Sequence, residues 1–381
     1  MKPAAGRPPG DLDLALLRRY PDVEAANLHA VDATDRLLLD ATATGLATAG
    51  PGELVVVGDR YGALTLGAAA RYGCTGIRCH TDALTGELAR TWNAERLGFT
   101  GSYADYPMSA ELFADARVVL LQAPRGLDEL AEWVGLISRH ADRSVRIFLG
   151  GRVKYLTLAM NDVLGLAFET VTAGLARQKS RVIEASGLRL DAELPSFPRR
   201  EWHAEIGMWV CAHGGAFAGT RLDIGTRRLL GVLSELPEVD AAVDLGCGTG
   251  VLAIALARRG IRVLASDSSA SAVRSCLATV EANGVAELVT IQRDDALSSV
   301  ATGTASLIVC NPPFHLGSAV HAGAAVKLFQ AAARVLAPGG ELWTVYNSHL
   351  GYRPVLRRLI GSTRIVHRDA KFTVTASVLR G

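Results

Sequence analysis

A doubly wound α/β fold, built twice in tandem, is what the 381-residue chain predicts. Three observations lead there. β-branched apolar runs alternate with longer helical patterns that close on glycine, the grammar of a mostly parallel sheet with helices on both faces. The same landmarks then recur at an offset of 185 to 190 residues. Finally, VCNPPFH (309–315) sets two prolines directly after an apolar run. Proline fixes φ, lacks an N–H and restricts the residue before it, so the strand must stop there in a stiff, polar-tipped loop. Loops at strand ends are where α/β proteins keep their chemistry.

The C-terminal half shows the alternation most cleanly. AAVDLG (241–246) reads as a strand and VLAIALARRG as a helix closed by Gly260. IRVLASD is the next strand, and SASAVRSCLATVEANG a helix ending at Asn283-Gly284. LVTIQRD and SLIVC are strands, VKLFQAAARVLAPGG is a helix closed by Pro338-Gly339-Gly340, and ELWTVYN is a strand again. PVLRRLIG predicts a last helix, and TRIVHR and KFTVTASVL an antiparallel edge.

The N-terminal half repeats this order. With Gly62 set on Gly250, Gly58 falls on Gly246 and Leu64 on Leu252, IRCHTD meets VLASD, and RVVLLQAPRG lies opposite SLIVCNPPFH. A near-constant offset over several landmarks is a duplication. The copies differ at their loops: Asp244 becomes Val56, Gly248 becomes Arg60, and Asn-Pro-Pro-Phe becomes Gln122-Ala123-Pro124-Arg125. One copy keeps a polar, glycine-rich site and the other keeps only the fold.

Bulk properties narrow the class. Hydrophobic residues make up 49% and charged residues 20%, enough apolar content for two cores. The opening MKPAAGRPPGD has no apolar stretch of the secretory kind, and no run is long and apolar enough to span a membrane. Cys74, Cys79, Cys211, Cys247, Cys276 and Cys310 show neither C-x-x-C nor regular spacing, which argues against a zinc site or a disulfide framework and for a reduced, cytoplasmic setting. The nine histidines form no metal-binding pattern, so no metal is expected. Net charge is only +2, but residues 139–200 hold eleven Lys and Arg against six Asp and Glu. That stretch, with Arg152 and Lys154 in it, is either a solvated basic face or a phosphate-binding surface.

DLGCGTG follows a strand and opens a helix. Gly246, Gly248 and Gly250 let the backbone turn tightly and approach a ligand. A G-x-G-x-G is weak alone, and three carboxylates sharpen it. Asp244 suits a cationic ligand group and would repel a pyrophosphate. Asp267, at the end of the next strand, has the spacing of a ribose-hydroxyl acceptor. Asp295 could read an adenine amino group, with Asp294 as its competitor. A nucleoside with a cationic amino-acid tail and no phosphate fits S-adenosylmethionine better than NAD.

The NPPFH loop suits methyl transfer to an exocyclic amine. Acceptors on the two N–H bonds would localise the nitrogen lone pair, and Asn311 Oδ1 and the Pro312 carbonyl can supply them. Pro313 stiffens the loop and Phe314 can stack on a base. His315 contacts either the base or the loop backbone. Catalysis of this kind is positioning and electrostatics, with no strong base required.

DLGCGTG, Asp267 and NPPFH together resemble class I S-adenosylmethionine-dependent methyltransferases acting on guanine N2 of ribosomal RNA. The duplicated architecture resembles the paired-domain C and G types of that family. The G type, whose members act on the large ribosomal subunit, is favoured by LALLRRYPDVEAANLHAVDATDRLLLD, by GAFAGTRLDIGTRRLL, and by YNSHLGYRPVLRRLIG with KFTVTASV. The resemblance implies two Rossmann-like methyltransferase domains: a degenerate, RNA-recognising one over 1–185, a linker over 186–204, and a catalytic one over 205–381. It implies that the three glycines border the cofactor, that Asp267 meets its ribose and Asp295 its adenine, and that Asn311 to Phe314 hold a guanine. It also implies that Phe217 to Asp223 lie over the cofactor, although those residues read equally well as a helix N-cap at Asp223 beside a buried Phe217. The implied partner is 23S ribosomal RNA, and the internal duplication, a pseudo-dimer in one chain, points to a monomer. Ser348 stands where the family would carry a basic residue. Other readings of the same residues are a 16S substrate, a protein glutamine, a small molecule, or a non-enzymatic RNA-binding scaffold.

Overall fold

The structure, a computed structural model, describes residues 12–189, 191–313 and 319–381. The chain divides into two compact units, Met1–Phe197 and Pro198–Gly381. In the first, β1 (Leu54–Val57), β2 (Ile77–His80), β3 (Tyr103–Asp105), β4 (Val118–Gln122), β5 (Arg146–Arg152), β6 (Phe168–Ala173) and β7 (Ser180–Leu188) form one sheet in the order β3-β2-β1-β4-β5-β7-β6. The second opens with a hairpin of β8 (Arg199–His203) and β9 (Met208–Ala212). Its main sheet holds β10 (Ala241–Leu245), β11 (Arg262–Asp267), β12 (Val289–Arg293), β13 (Ala305–Cys310), β14 (Leu336–Asn347), β15 (Gly361–Arg368) and β16 (Phe372–Leu379).

That sheet runs β12-β11-β10-β13-β14-β16-β15, the first order repeated strand for strand. In both, five strands are parallel, and the last two pairings are antiparallel because β7 and β16 run against the rest. The duplication read from the sequence is therefore one of topology as well. Central strands bury both faces. Val243 and Leu245 pack into one apolar cluster, while Ala242 packs into the cluster on the opposite face. This is why such strands read as unbroken apolar runs. Strand order reverses between β10 and β13, so their C-terminal ends flank an open crevice. Leu245 pairs with Cys310, and the glycine loop and Asn311 therefore emerge side by side.

Three boundaries differ from the sequence reading. The helix expected over 326–340 runs Ala319–Val335, and β14 already begins at Leu336. Leu336 pairs with Ala305 and the ladder resumes only at Leu307 and Glu341, so Ala337 to Gly340 form a bulge rather than a helix cap. The stretch 186–204 is not a free linker: β7 extends to Leu188 and β8 occupies Arg199–His203, with the units dividing between Phe197 and Pro198. Trp202 is half exposed opposite Trp209 within the hairpin, their rings meeting edge to face at 5.4 Å. All six cysteines are buried thiols. Among the described residues no helix is long and apolar enough to cross a membrane.

Candidate active site

The site starts with the turn after β10. Gly248 (φ +53°) and Gly250 (φ +83°) adopt the left-handed conformation that side chains disfavour. A Cβ on Gly250 would also lie 2.6 Å from Cys276 Sγ. Above Gly246 and Gly248 no atom lies within 4 Å of an added Cβ, so the loop presents bare backbone to open space. Asp244 is fully buried beneath this loop. Its Oδ2 accepts from the Ala253 amide at 3.0 Å, while its Oδ1 is buried without a partner among the described residues. Burial, with the Asp267 charge nearby, pushes its carboxyl up to about 7. Asp244 is not in the lining of the cleft, so the glycine loop separates it from the open space.

Asp267, at the tip of β11, ties the loop down. Its Oδ2 accepts from Gly248 N at 3.0 Å and its Oδ1 from Ser269 N at 2.9 Å. The two candidates after β12 separate clearly. Asp294 is consumed by its own turn, accepting from the amides and hydroxyls of Ser298 and Ser299. Although partial burial works the other way, these bonds hold its carboxyl below the ordinary value. Asp295 is engaged too, in an ion pair with Lys327 at 2.6 Å. An adenine reader at Asp295 would have to share it with that ammonium.

Asn311 is held by residues that the sequence reading had not linked to it. Its Nδ2 donates to Asp223 Oδ2 and to Thr226 Oγ1, both at 2.9 Å. A carboxylate can only accept, so the amide orientation is set, and Oδ1 is left buried with no donor among the described residues. Asp223 does double duty: the same Oδ2 accepts from Thr226 N at 2.9 Å and caps the helix Ile224–Leu230. Gly225 makes the approach possible, since a Cβ there would sit 3.0 Å from Asp223 Oδ2 and 3.1 Å from Asn311 Oδ1. Pro312 is buried and Pro313 exposed; Phe314 and His315 lie outside the described residues.

The segment that carries Asp223 is positioned by the helix Ala270–Ala282 and its cap. Ser275, Thr279 and Asn283 recur every four residues and so line one helix face. Ser275 Oγ accepts from His213 N, Thr279 Oγ1 both accepts from and donates to the Cys211 backbone, and Asn283 does the same for Trp209. One edge of β9 is thus satisfied by side chains instead of a further strand. From there 213–223 runs to the cleft, where Phe217, Arg221, Gly246, Gly248, Thr226 and Asn311 meet around about 480 Å³ of open space. Phe217 is 55% exposed, so the alternative of a buried Phe217 falls while the N-cap at Asp223 stands. Bare backbone, a loop-tying carboxylate and a buried orphan carboxylate oxygen beneath them suit a nucleoside with a cationic tail.

The first unit has rebuilt the same place. Thr65 N, equivalent to Ala253 N, is capped by Asp59 Oδ2 at 2.8 Å, because Val56 replaces Asp244. Where β11 ends in Asp267, β2 is followed by Thr81, which donates to Asp59 O. Arg90 is fully buried, donates to Asp59 O and Thr81 Oγ1, and pairs with Asp105. A guanidinium and a hydroxyl therefore fill the position of the ribose carboxylate. Arg152 and Lys154 lie in this unit, exposed at and just beyond the end of β5.

Residues 11–188 match the model described as the RLMG N-terminal domain, and residues 207–376 match the methyltransferase small domain. The chain is 35% identical to ribosomal RNA large subunit methyltransferase G of Streptomyces avermitilis, over 95% of this chain and 96% of that one. It is 32% identical to the protein of that name in Shewanella amazonensis, over 97% of both. Among solved structures, a T. thermophilus 16S rRNA N2 methyltransferase in complex with AdoMet and guanosine superposes with a TM-score of 0.72 over 92% of each chain, at 22% identity.

Proposed function

The chain belongs to the ribosomal RNA large subunit methyltransferase G family, and from that premise we propose that Asn311 presents its amide oxygen to the exocyclic N2 of a guanine in 23S ribosomal RNA. It is an S-adenosylmethionine-dependent methyltransferase, and the second unit carries the site. The observation that carries the proposal is the orphan Oδ1 of Asn311, buried beside the glycine loop and oriented by Asp223 and Thr226.

An aryl-type amine is a poor nucleophile because its lone pair is drawn into the ring. Asn311 Oδ1 accepts one N–H bond and the Pro312 carbonyl the other, which localises the lone pair on the face turned toward the glycine loop. Bound S-adenosylmethionine supplies an electrophilic methyl group. The amine nitrogen would take up that methyl group as its bond to sulfur breaks, and one amine proton would then leave to solvent. Gly246 and Gly248 would offer backbone to the cofactor, Asp267 would take its ribose hydroxyls, and Phe217 would cover it. The guanine must be unpaired or unstacked to reach Asn311. Arg152, Lys154 and the basic region around them hold RNA phosphates. A neutral, rigid amide-recognising loop and an intact glycine loop favour this over a scaffold role.

Labelled methyl transfer to total ribosomal RNA from cells lacking the gene, followed by nucleoside analysis, tests the reading. N2-methylguanosine in 23S RNA is expected. The same nucleoside in 16S RNA would move the substrate, and no methyl in any RNA would overturn the assignment.

A further inference from the structure

We propose that the rebuilt crevice of the first unit binds a single unpaired nucleotide of the RNA substrate, its base read by the Gln122 amide and its phosphate held by Arg60 and Arg152. This rests on the assignment of RNA as the substrate. The crevice lies where the order of the first sheet reverses, between β1 and β4, in the position that Asn311 occupies in the second unit. It is larger than the cleft around Asn311, with about 830 Å³ of open space. Loss of the cofactor site has not closed it: Arg90 and Thr81 fill the ribose position, but the part next to Gln122 stays open.

Gln122 ends β4 as Asn311 follows β13, and it is held in the same way. Its Nε2 donates to Asp35 Oδ1, while Asp35 Oδ2 accepts from Asp32 N at 2.8 Å in the capping box of the helix Ala33–Ala41. As with Asp223 and Asn311, a carboxylate at the start of the preceding helix fixes an amide at a strand tip. Gln122 Oε1 accepts no hydrogen bond among the described residues, and the amide as a whole is only half-buried. A methyltransferase fold that had merely decayed would have no reason to keep this pairing.

The surroundings suit a nucleotide. Arg60, where the active copy has Gly248, is exposed and makes no hydrogen bond or ion pair among the described residues; the same is true of His29. Arg152 is exposed and only loosely paired, 3.9 Å from Asp32. Asp59, the deepest carboxylate, is spent on the amides of Gly62 and Thr65. Tyr155 is 62% exposed on the rim with Lys154 4.6 Å from its ring centroid, an aromatic surface next to cations. Unpaired RNA bases are recognised by aromatic stacking and hydrogen bonds to their edges, with guanidinium groups on the phosphates.

The full chain, mixed with 23S RNA carrying sparse 6-thioguanosine and 4-thiouridine, is irradiated with near-ultraviolet light and the adducts are mapped by mass spectrometry. Adducts on the peptides holding Gln122 or Tyr155 are expected. Tyr155→Ala, an exposed position that does not threaten folding, should raise KM for RNA about fivefold or more while kcat at saturating RNA holds; Gln122→Ala should do the same. Methyl transfer with no adduct in the crevice and an unchanged KM in both variants would overturn the crevice proposal and leave the function standing. Adducts without methyl transfer would overturn the function and keep the crevice. Adducts abolished by micromolar guanosine monophosphate, with KM for RNA unchanged in the variants, would mark a free nucleotide as the ligand and overturn the RNA source.

Discussion

Asn311 reaches its role through residues far from it in sequence. NPPF announces an amide at a strand end, but nothing local says which way that amide turns. Asp223 and Thr226, some 85 to 88 positions earlier, decide it. Gly225 is the test of that geometry. In Gly225→Ala the new methyl must push aside Asp223 Oδ2 or Asn311 Oδ1 from contacts near 3.0 Å. Rapid-quench kinetics should show methyl transfer slowed about tenfold or more, with cofactor affinity little changed; an unaffected rate would mean the amide is not held as described. Asp244 supplies a pH signature. Its folded carboxyl titrates at about 7, raised from 3.8 by burial. A raised carboxyl binds its proton more tightly in the folded chain, so its contribution favours folding below about pH 4 and is lost as pH rises through about 7. Binding of a cationic ligand has the opposite sense, since it prefers the carboxylate. Affinity for S-adenosylmethionine should strengthen about tenfold from pH 6 to pH 8, and the dependence should vanish in Asp244→Asn. Calorimetric titration at several pH values checks both; a flat profile in the unaltered protein would remove Asp244 from the site's electrostatics.

Elements were legible where their signals are local. β10, β11 and β13 are apolar runs bounded by turn residues, and the glycine loop declares itself through three glycines in five positions. Long-range partnerships were not legible. The hairpin β8–β9 lay within and beside a stretch taken as linker, because one edge of β9 is satisfied by a helix face 62 to 74 residues away. The bulge of Ala337 to Gly340 mimics a helix cap, since Pro-Gly-Gly ends helices and interrupts strands alike. Ser348, which departs from the expected basic residue, hydrogen-bonds Asp369 O and Thr373 Oγ1 and so pins the turn of β15–β16. The helix face makes its own prediction. Thr279→Val leaves the buried Cys211 amide without an acceptor, which should cost about 1–3 kcal/mol and appear as a lowered midpoint in urea unfolding. An unchanged midpoint would mean that β9 does not depend on the helix.

At the scale of the whole molecule, the two units share a strand order and differ in what occupies the crevice. The second keeps bare glycines above Asp244. The first has Arg90, Thr81 and Asp59 hydrogen-bonded into the equivalent space. Isothermal titration of the full chain should therefore find one S-adenosylmethionine per chain, and two would contradict the reading of the first unit. The duplication was visible in the sequence because glycine spacing survives after function is lost. The rebuilt crevice was not, because its parts come from five separated segments. The proposed mechanism then rests on one amide oxygen in the second unit. The most direct measurement compares Asn311→Ala with the unaltered protein for methyl transfer to 23S RNA and for cofactor binding. Transfer should fall about a hundredfold or more with cofactor affinity nearly intact, whereas a variant that retained full activity would show that the Asn311 oxygen does not do the chemistry.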